Sequence, residues 1–247
     1  MNNEFPSSSS QERGSSLDWP ELVASPASVH PCNQTTDAYR ELPATEDVLP
    51  SFQYVLAWFD SLPVLDLGCA VGTYLKQLPP NSLGVDVSRP NLEHCRRLGL
   101  KVMAADLNGE LPFPTASVPA VLCSHVLEHV DAPINLLREC HRIISKEGLL
   151  VLGLPIESNL VNRLRGHKYF YDHPGHLYSF SLENIQVLLN KTGFEVIRFY
   201  FEPRIIRFRQ WSRLMQKLPP SAVYPLALAY WAVARKKGNL VSETSPS

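Results

Sequence analysis

No run of apolar residues in this chain reaches the roughly 18–20 needed to span a bilayer, so a membrane-spanning helix is not expected. No positively charged, apolar segment opens the sequence, which argues against a secretory leader. The five cysteines (Cys32, Cys69, Cys95, Cys123, Cys140) show no paired metal-ligand spacing. They read as reduced thiols of a cytosolic protein rather than as a disulfide framework or zinc module. No internal repeat is visible, and no aromatic-and-basic module of recognised spacing, so nucleic acid is not an expected partner. Nor does one sign of charge dominate: 23 Lys and Arg stand against 24 Asp and Glu.

At 247 residues, 45% of them hydrophobic and 19% charged, the chain has the composition of a globular protein able to bury a substantial core. Residues 1–30 are rich in Ser and Pro with little apolar periodicity, and are expected to form a disordered tail. A helix is expected over 47–62. From there strands are read at 63–67, 82–86, 100–105, 118–124, 148–154 and 194–201, with helices at about 72–78, 89–98, 131–145 and 181–191. Alternating strands and helices predict an α/β fold: a Rossmann-like, mostly parallel, doubly wound sheet with helices on both faces.

The chemistry concentrates at successive strand ends. Val64-Leu65-Asp66-Leu67-Gly68-Cys69-Ala70-Val71-Gly72 is an apolar strand running into a small-residue turn. Small residues there let backbone approach a ligand and let the next helix pack closely. Asp86 ends the second strand, in Gly84-Val85-Asp86, where a carboxylate accepts both hydroxyls of a ribose. Asp106 ends the third, where an acid takes an adenine amino group. Each has a plainer role, since strand-to-helix turns often carry glycine and loop aspartates cap helices, but three acids at three consecutive strand ends point to a nucleoside. A dinucleotide would need a more open, three-glycine turn. Ala70 occupies the middle position, which favours an amino-acid-bearing nucleoside without phosphates, with Asp66 placing its ammonium group.

Residues 63–200 resemble the class I S-adenosylmethionine-dependent methyltransferases of the small type 11 group. The matching pieces are Val64-Leu65-Asp66-Leu67-Gly68-Cys69, Gly84-Val85-Asp86-Val87-Ser88, Ala105-Asp106-Leu107 and Ser124-His125-Val126-Leu127-Glu128-His129-Val130. Leu136 to Ile143, Gly148-Leu149-Leu150 and Gly193-Phe194 follow in the expected order. The resemblance implies S-adenosyl-L-methionine as methyl donor and a cofactor site of Asp66, Gly68, Cys69, Ala70, Gly72, Asp86, Val87, Asp106, Leu107 and Ser124. Val87 and Leu107 would sandwich adenine. Ala70 departs from the family, which usually has glycine there, and Pro119 replaces an acid that often starts the fourth strand.

Methyl transfer is an in-line displacement in which the enzyme supplies alignment, with a base needed when a hydroxyl acceptor must lose a proton. His125, after the fourth strand, and His176, closing the aromatic and histidine-rich loop 167–176, are the candidate catalytic residues. Quinone-pathway and small-RNA O-methyltransferases carry a Glu-x-x-Glu-His after this strand that ligates a divalent ion. Here His125 stands at the first Glu, and no metal is expected, Leu127-Glu128-His129-Val130 serving as a structural turn.

Residues 203–240 hold eight basic residues and no acidic one, together with an apolar run over 222–234 containing Tyr224, Tyr230 and Trp231. From this the domain boundaries are set as the tail at 1–30, a cofactor-binding domain at 31–202 and a basic, apolar, helical extension at 203–247. Packing on the sheet is the plain role for that extension. Aromatics beside lysines and arginines also suit contact with a membrane surface through 203–238. The expected acceptor is a small or lipid-like molecule methylated at oxygen, and the expected location is cytoplasmic, peripheral on the inner face of a membrane. A non-catalytic module with a vestigial pocket is the alternative from another class, and a nicotinamide dehydrogenase a distant one.

Overall fold

The computed structural model describes residues 48–157, 176–203 and 216–237. The tail at 1–30, Cys32, most of the loop 167–176 and the basic stretch 204–215 lie outside the described residues.

One seven-stranded sheet organises the chain, in the order β3-β2-β1-β4-β5-β7-β6. The strands are β1 (Val64–Leu67), β2 (Leu83–Asp86), β3 (Val102–Ala104), β4 (Val118–Ser124), β5 (Ile144–Pro155), β6 (Phe194–Pro203) and β7 (Ala227–Lys236). The first five pair in parallel, whereas β7 pairs antiparallel to both β5 and β6. Helices α1 (Phe52–Phe59), α2 (Arg89–Arg97), α3 (Pro133–Ile143) and α4 (Leu182–Lys191) cover the faces.

Side-chain alternation along each strand divides the core into two layers. Val121 and Cys123 of β4, with Leu150, Leu152 and Leu154 of β5, pack in one cluster with Leu136, Leu137, Cys140 and Ile143 of α3 and Ile185 and Leu189 of α4. Ala120, Leu122 and Val151 point the other way, onto Phe52, Val55 and Phe59 of α1 and Leu92 of α2. Local signals agree with these boundaries. Pro133 sits in the first turn of α3, where its missing N–H costs nothing. Ser181 caps α4 by accepting a hydrogen bond from the Asn184 N–H. The helix expected at 72–78 shrinks to a single 3₁₀ turn, Leu75–Gln77, because Pro79 and Pro80 follow at once and leave no room to propagate.

The C-terminal segment requires the largest correction. Residues 227–236 are neither a helix nor an extension: they form β7, between β5 and β6. Tyr230, Ala232 and Ala234 enter the first core layer, Trp231 and Val233 the second. That two-residue period is a strand buried on both faces. Such strands read as continuous apolar runs, and the four alanines tilt composition toward helix. The sheet therefore extends past the boundary drawn at 202, through Lys236. Tyr230 and Trp231 are fully buried, so neither is available to a membrane surface. Among the described residues no helix is long and apolar enough to cross a membrane.

Candidate active site

Strand order reverses direction of winding between β1 and β4, and in open parallel sheets ligands bind outside the carboxyl ends of the strands at such a switch point. The residues singled out from sequence gather there. After β1 the backbone takes left-handed conformations at alternate positions: Gly68 (φ 72°), Ala70 (φ 46°) and Gly72 (φ 79°). The turn is fastened to β2 by Gly68 N–H and Cys69 N–H, both donating to Val85 O at 2.7 and 3.0 Å. A Cβ on Gly68 would lie 2.3 Å from Val126 Cγ2, so the loop after β4 rests directly on the first turn and only glycine permits it. Ala70 adopts the left-handed conformation that glycine usually fills, at a cost of about 1–2 kcal/mol. Its N–H is rewarded with a 2.8 Å hydrogen bond to Asp86 Oδ2.

Asp86 also accepts from Ser88 N–H at 2.7 Å through Oδ1. It thus fills both roles considered for it, capping the turn before α2 and presenting a carboxylate to the cleft. Burial raises its pKa, against the opposing pull of the Ser88, Ala70 and Val87 N–H groups. Asp66 lies deeper, 2% exposed, with no hydrogen-bond partner on Oδ2. Burial first, then the charges of Asp86 and Cys95, hold its pKa well above the usual carboxylate range. An orphaned, desolvated carboxylate is matched by an ammonium group, which fits the amino-acid end of the implied cofactor.

Asp106 follows β3 and accepts from Asn108 N–H at 2.9 Å, while Asn108 Oδ1 accepts from Asp131 N–H at 2.8 Å and ties this loop to the approach to α3. Val87 is exposed beside Asp86, and Leu107 packs half-buried against the core. Cys69 differs from expectation in one respect. Its side chain is buried in the second core layer, so its contribution to the turn is backbone.

The far wall was not foreseen from sequence. A Cβ on Gly153 would stand 2.5 Å from the Trp231 ring and 3.0 Å from Ser124 Oγ, so β5 carries glycine where β7 presses its indole toward the end of β4. Trp231 Nε1 donates to Ser51 Oγ at 2.8 Å, and Ser51 N–H donates to Glu202 Oε2 at 2.8 Å. These bonds hold the start of α1 over the sheet. Tyr74 meets Trp231 edge-on and tilts against Phe52, with ring centroids 5.5 and 4.7 Å apart. Its hydroxyl faces Ser124, and its pKa is pushed up to about 12, chiefly by burial.

The two candidate catalytic histidines sit on adjoining loops. His125 follows β4 in a left-handed conformation (φ 53°), its N–H donating to Gly153 O at 2.9 Å. His176 Nδ1 pairs with Glu157 Oε1 at 2.5 Å, and that bond raises its pKa against the opposing effect of burial. Leu177 N–H and Tyr178 N–H both donate to Glu128 O, at 2.8 and 3.3 Å. The structure therefore brings the segment at 176 onto the loop at 128, although the sequence separates them widely. Glu157 was absent from the expected set; its only sequence signal was its place just after β5.

Comparison with known proteins agrees with this architecture. The fold is that of Rossmann-like S-adenosylmethionine-dependent methyltransferases. A methyltransferase from Archaeoglobus fulgidus superposes with a TM-score of 0.58 at 21% identity, covering 75% of this chain and 90% of that one. Residues 65–152 match the family model of a methyltransferase domain. A probable S-adenosylmethionine-dependent methyltransferase of Mycobacterium tuberculosis is 33% identical over 97 residues, 37% of this chain and 35% of its own length. An uncharacterised 37.1 kDa transposon protein of Streptomyces fradiae is 33% identical over 132 residues, 48% of this chain. The chain spans 38% of the length of that relative.

Proposed function

We propose that this protein transfers a methyl group from S-adenosylmethionine to an oxygen of a small or lipid-like acceptor. The observation that carries the proposal is the set of three carboxylates in or just past the carboxyl ends of three neighbouring strands, Asp66 within β1, buried and orphaned, Asp86 ending β2 and latched by two backbone N–H groups, Asp106 just past β3. The cofactor, when bound, supplies an electrophilic methyl group on a sulfonium.

The chain's own residues do the rest. Asp86 would accept from the two vicinal hydroxyls of the ribose, Asp66 would receive the ammonium, and Val87 and Leu107 would enclose the base. Trp231, Tyr74 and Phe52 exclude water from the inner wall, so the acceptor is aligned in a desolvated site. An oxygen acceptor needs a proton taken up nearby, and His125 next to Ser124 and His176 on the adjoining loop are the groups placed for it. A lipid-like acceptor, and contact with a membrane surface, draw support from the basic stretch 204–215 rather than from β7. A binding module without activity is disfavoured by the strained Ala70, whose N–H still serves the carboxylate that such a module would not need.

The test is calorimetric titration of S-adenosylhomocysteine into the wild type and Asp86→Ala. Two hydroxyl-to-carboxylate bonds at about 1.5–3 kcal/mol each predict a loss of more than about 100-fold in affinity. Absence of binding to folded wild type would overturn the proposal.

A further inference from the structure

Beside the nucleoside cradle lies a second constellation that the methyl-transfer scheme does not require. Glu128 and His129, on the loop after β4, meet His176, on the segment entering α4, and one ligand-capable atom of each lies within 4.8 Å of the others. The rings of His129 and His176 meet edge-on with centroids 4.6 Å apart. Glu128 is fully buried, and neither of its carboxylate oxygens has a hydrogen-bond partner. His125 Nδ1 approaches Oε1 to 3.4 Å without forming a hydrogen bond.

A carboxylate withdrawn from water without hydrogen bonds costs several kcal/mol unless a positive charge compensates it. Two imidazoles facing a carboxylate are the donor set of first-row transition ions, and three protein ligands leave coordination positions open. The neighbours of the cluster are arranged as metal sites require. Glu157 holds His176 through Nδ1, and a hydrogen bond at that nitrogen selects the tautomer whose Nε2 carries the lone pair. The hydrogen bonds from Leu177 and Tyr178 N–H to Glu128 O lock the two segments together. Tyr178 OH donates to Asp131 O at 2.8 Å and adds a third tie. The ligands are thus fixed by backbone rather than by the ion.

We propose that Glu128, His129 and His176 bind a divalent transition-metal ion of the zinc class, with Glu157 orienting His176. This reverses the expectation of no metal. Within the motif His125-x-x-Glu128-His129 the first position lacks a carboxylate, but the third ligand arrives from another part of the chain. The loop bearing two of the ligands touches the first turn at Gly68, so the ion borders the methyl-transfer site. Its open positions suit an acceptor hydroxyl, whose deprotonation a bound cation favours. That last role rests on the proposed oxygen methylation; the binding itself does not.

The experiment titrates Co²⁺ and Zn²⁺ into the full chain after chelator treatment, without methyl donor, reading Co²⁺ by its visible absorption and Zn²⁺ by calorimetry. One equivalent of each ion is expected to bind, with nitrogen and oxygen ligation in the Co²⁺ spectrum. His129→Ala and His176→Ala are expected to weaken binding by at least about 100-fold and Glu157→Gln by about 10–100-fold. His125→Ala is expected to leave it within a few-fold. Circular dichroism and a cooperative thermal melt of each variant verify that it is folded. A thiolate spectrum, binding indifferent to the histidine variants, or no saturable binding by folded wild type would each overturn the site and leave these residues a structural network only. Failure of S-adenosylhomocysteine to bind wild type would count against the methyltransferase proposal and leave the metal titration standing.

Discussion

Replacing Asp66 with asparagine is expected to stabilise the protein without ligand and to damage its cofactor site. Asp66 is 2% exposed and Oδ2 has no hydrogen-bond partner. A buried, unsatisfied polar group costs about 1–3 kcal/mol, and more when charged. Removing the charge while keeping the shape therefore recovers about 2 kcal/mol, offset little by the smaller cost of burying an amide. For a domain of this size 1 kcal/mol corresponds to about 2–4 °C in Tm, so Asp66→Asn gains about 4–8 °C. The effect has a definite pH dependence. Because the folded pKa lies above the ordinary 3.8, the folded state keeps its proton while the unfolded state loses it. Wild-type stability from this group is thus present in acid and lost as pH rises from 3.8 through the folded pKa. Asparagine does not titrate, so the gap between variant and wild type opens as pH rises. Asp86, also raised, adds a slope of the same sign in both proteins. Thermal melts from about pH 4 to about pH 8 measure the gap. A variant no more stable than wild type at the alkaline end, or a gap independent of pH, refutes the reasoning. In the same variant S-adenosylhomocysteine loses a charge-assisted hydrogen bond, about 1.5–3 kcal/mol, or roughly 10–100-fold in affinity.

Two further outcomes follow from local geometry. Gly68→Ala places a Cβ 2.3 Å from Val126 Cγ2 at a φ of 72°, so backbone strain of about 1–2 kcal/mol adds to overpacking of about 1–3 kcal/mol. Denaturant unfolding is expected to show a loss of about 2–5 kcal/mol, and a loss below about 1 kcal/mol would show that the β4 loop yields freely. Glu139 accepts two hydrogen bonds from Arg142 and one from Leu111 N–H. Burial raises its pKa, but the pair and the N–H together outweigh burial and bring it below the usual 4.5. Its stabilisation is present above 4.5 and lost as pH falls through the lower folded value. Glu139→Gln is therefore expected to lower Tm at neutral pH, with the difference from wild type closing in acid; a constant difference would contradict the assignment.

The elements most legible in the sequence were those whose pattern had a single solution. Strand β4 was placed at 118–124 and observed as Val118–Ser124, because a run of that length between turn residues fits little else. The cradle was legible for the same reason: Asp66 lies one residue before the end of β1, Asp86 ends β2 and Asp106 falls just past β3, and parallel strands bring these positions to one edge. Two features resisted. The alanines of β7 carry no alternation when both faces are buried, so its strand character appears only through its partners in β5 and β6. The contact of His176 with Glu128 depends on a tertiary meeting of two loops, which no local spacing encodes. Glu157 and the Trp231–Ser51–Glu202 chain belong to the same class of long-range information.

The position of β7 has a consequence for how the protein is made. The strand that seals the sheet between β5 and β6 comes last among the described strands, after both of its neighbours. Until residues 227–236 leave the ribosome, β5 has an unpaired edge and β6 has no partner strand. The interval from residue 155 to residue 227 corresponds to roughly 4–14 s of synthesis. Throughout it an apolar backbone edge stands open, of the kind that templates pairing between chains. Folding therefore ends with insertion rather than addition: a late segment must slide antiparallel between two early ones and take its register from both. Nascent chains of this protein are expected to lean on chaperones at that stage, and a break before residue 227 removes the strand next to the rim, and with it the described pairing partner of β6.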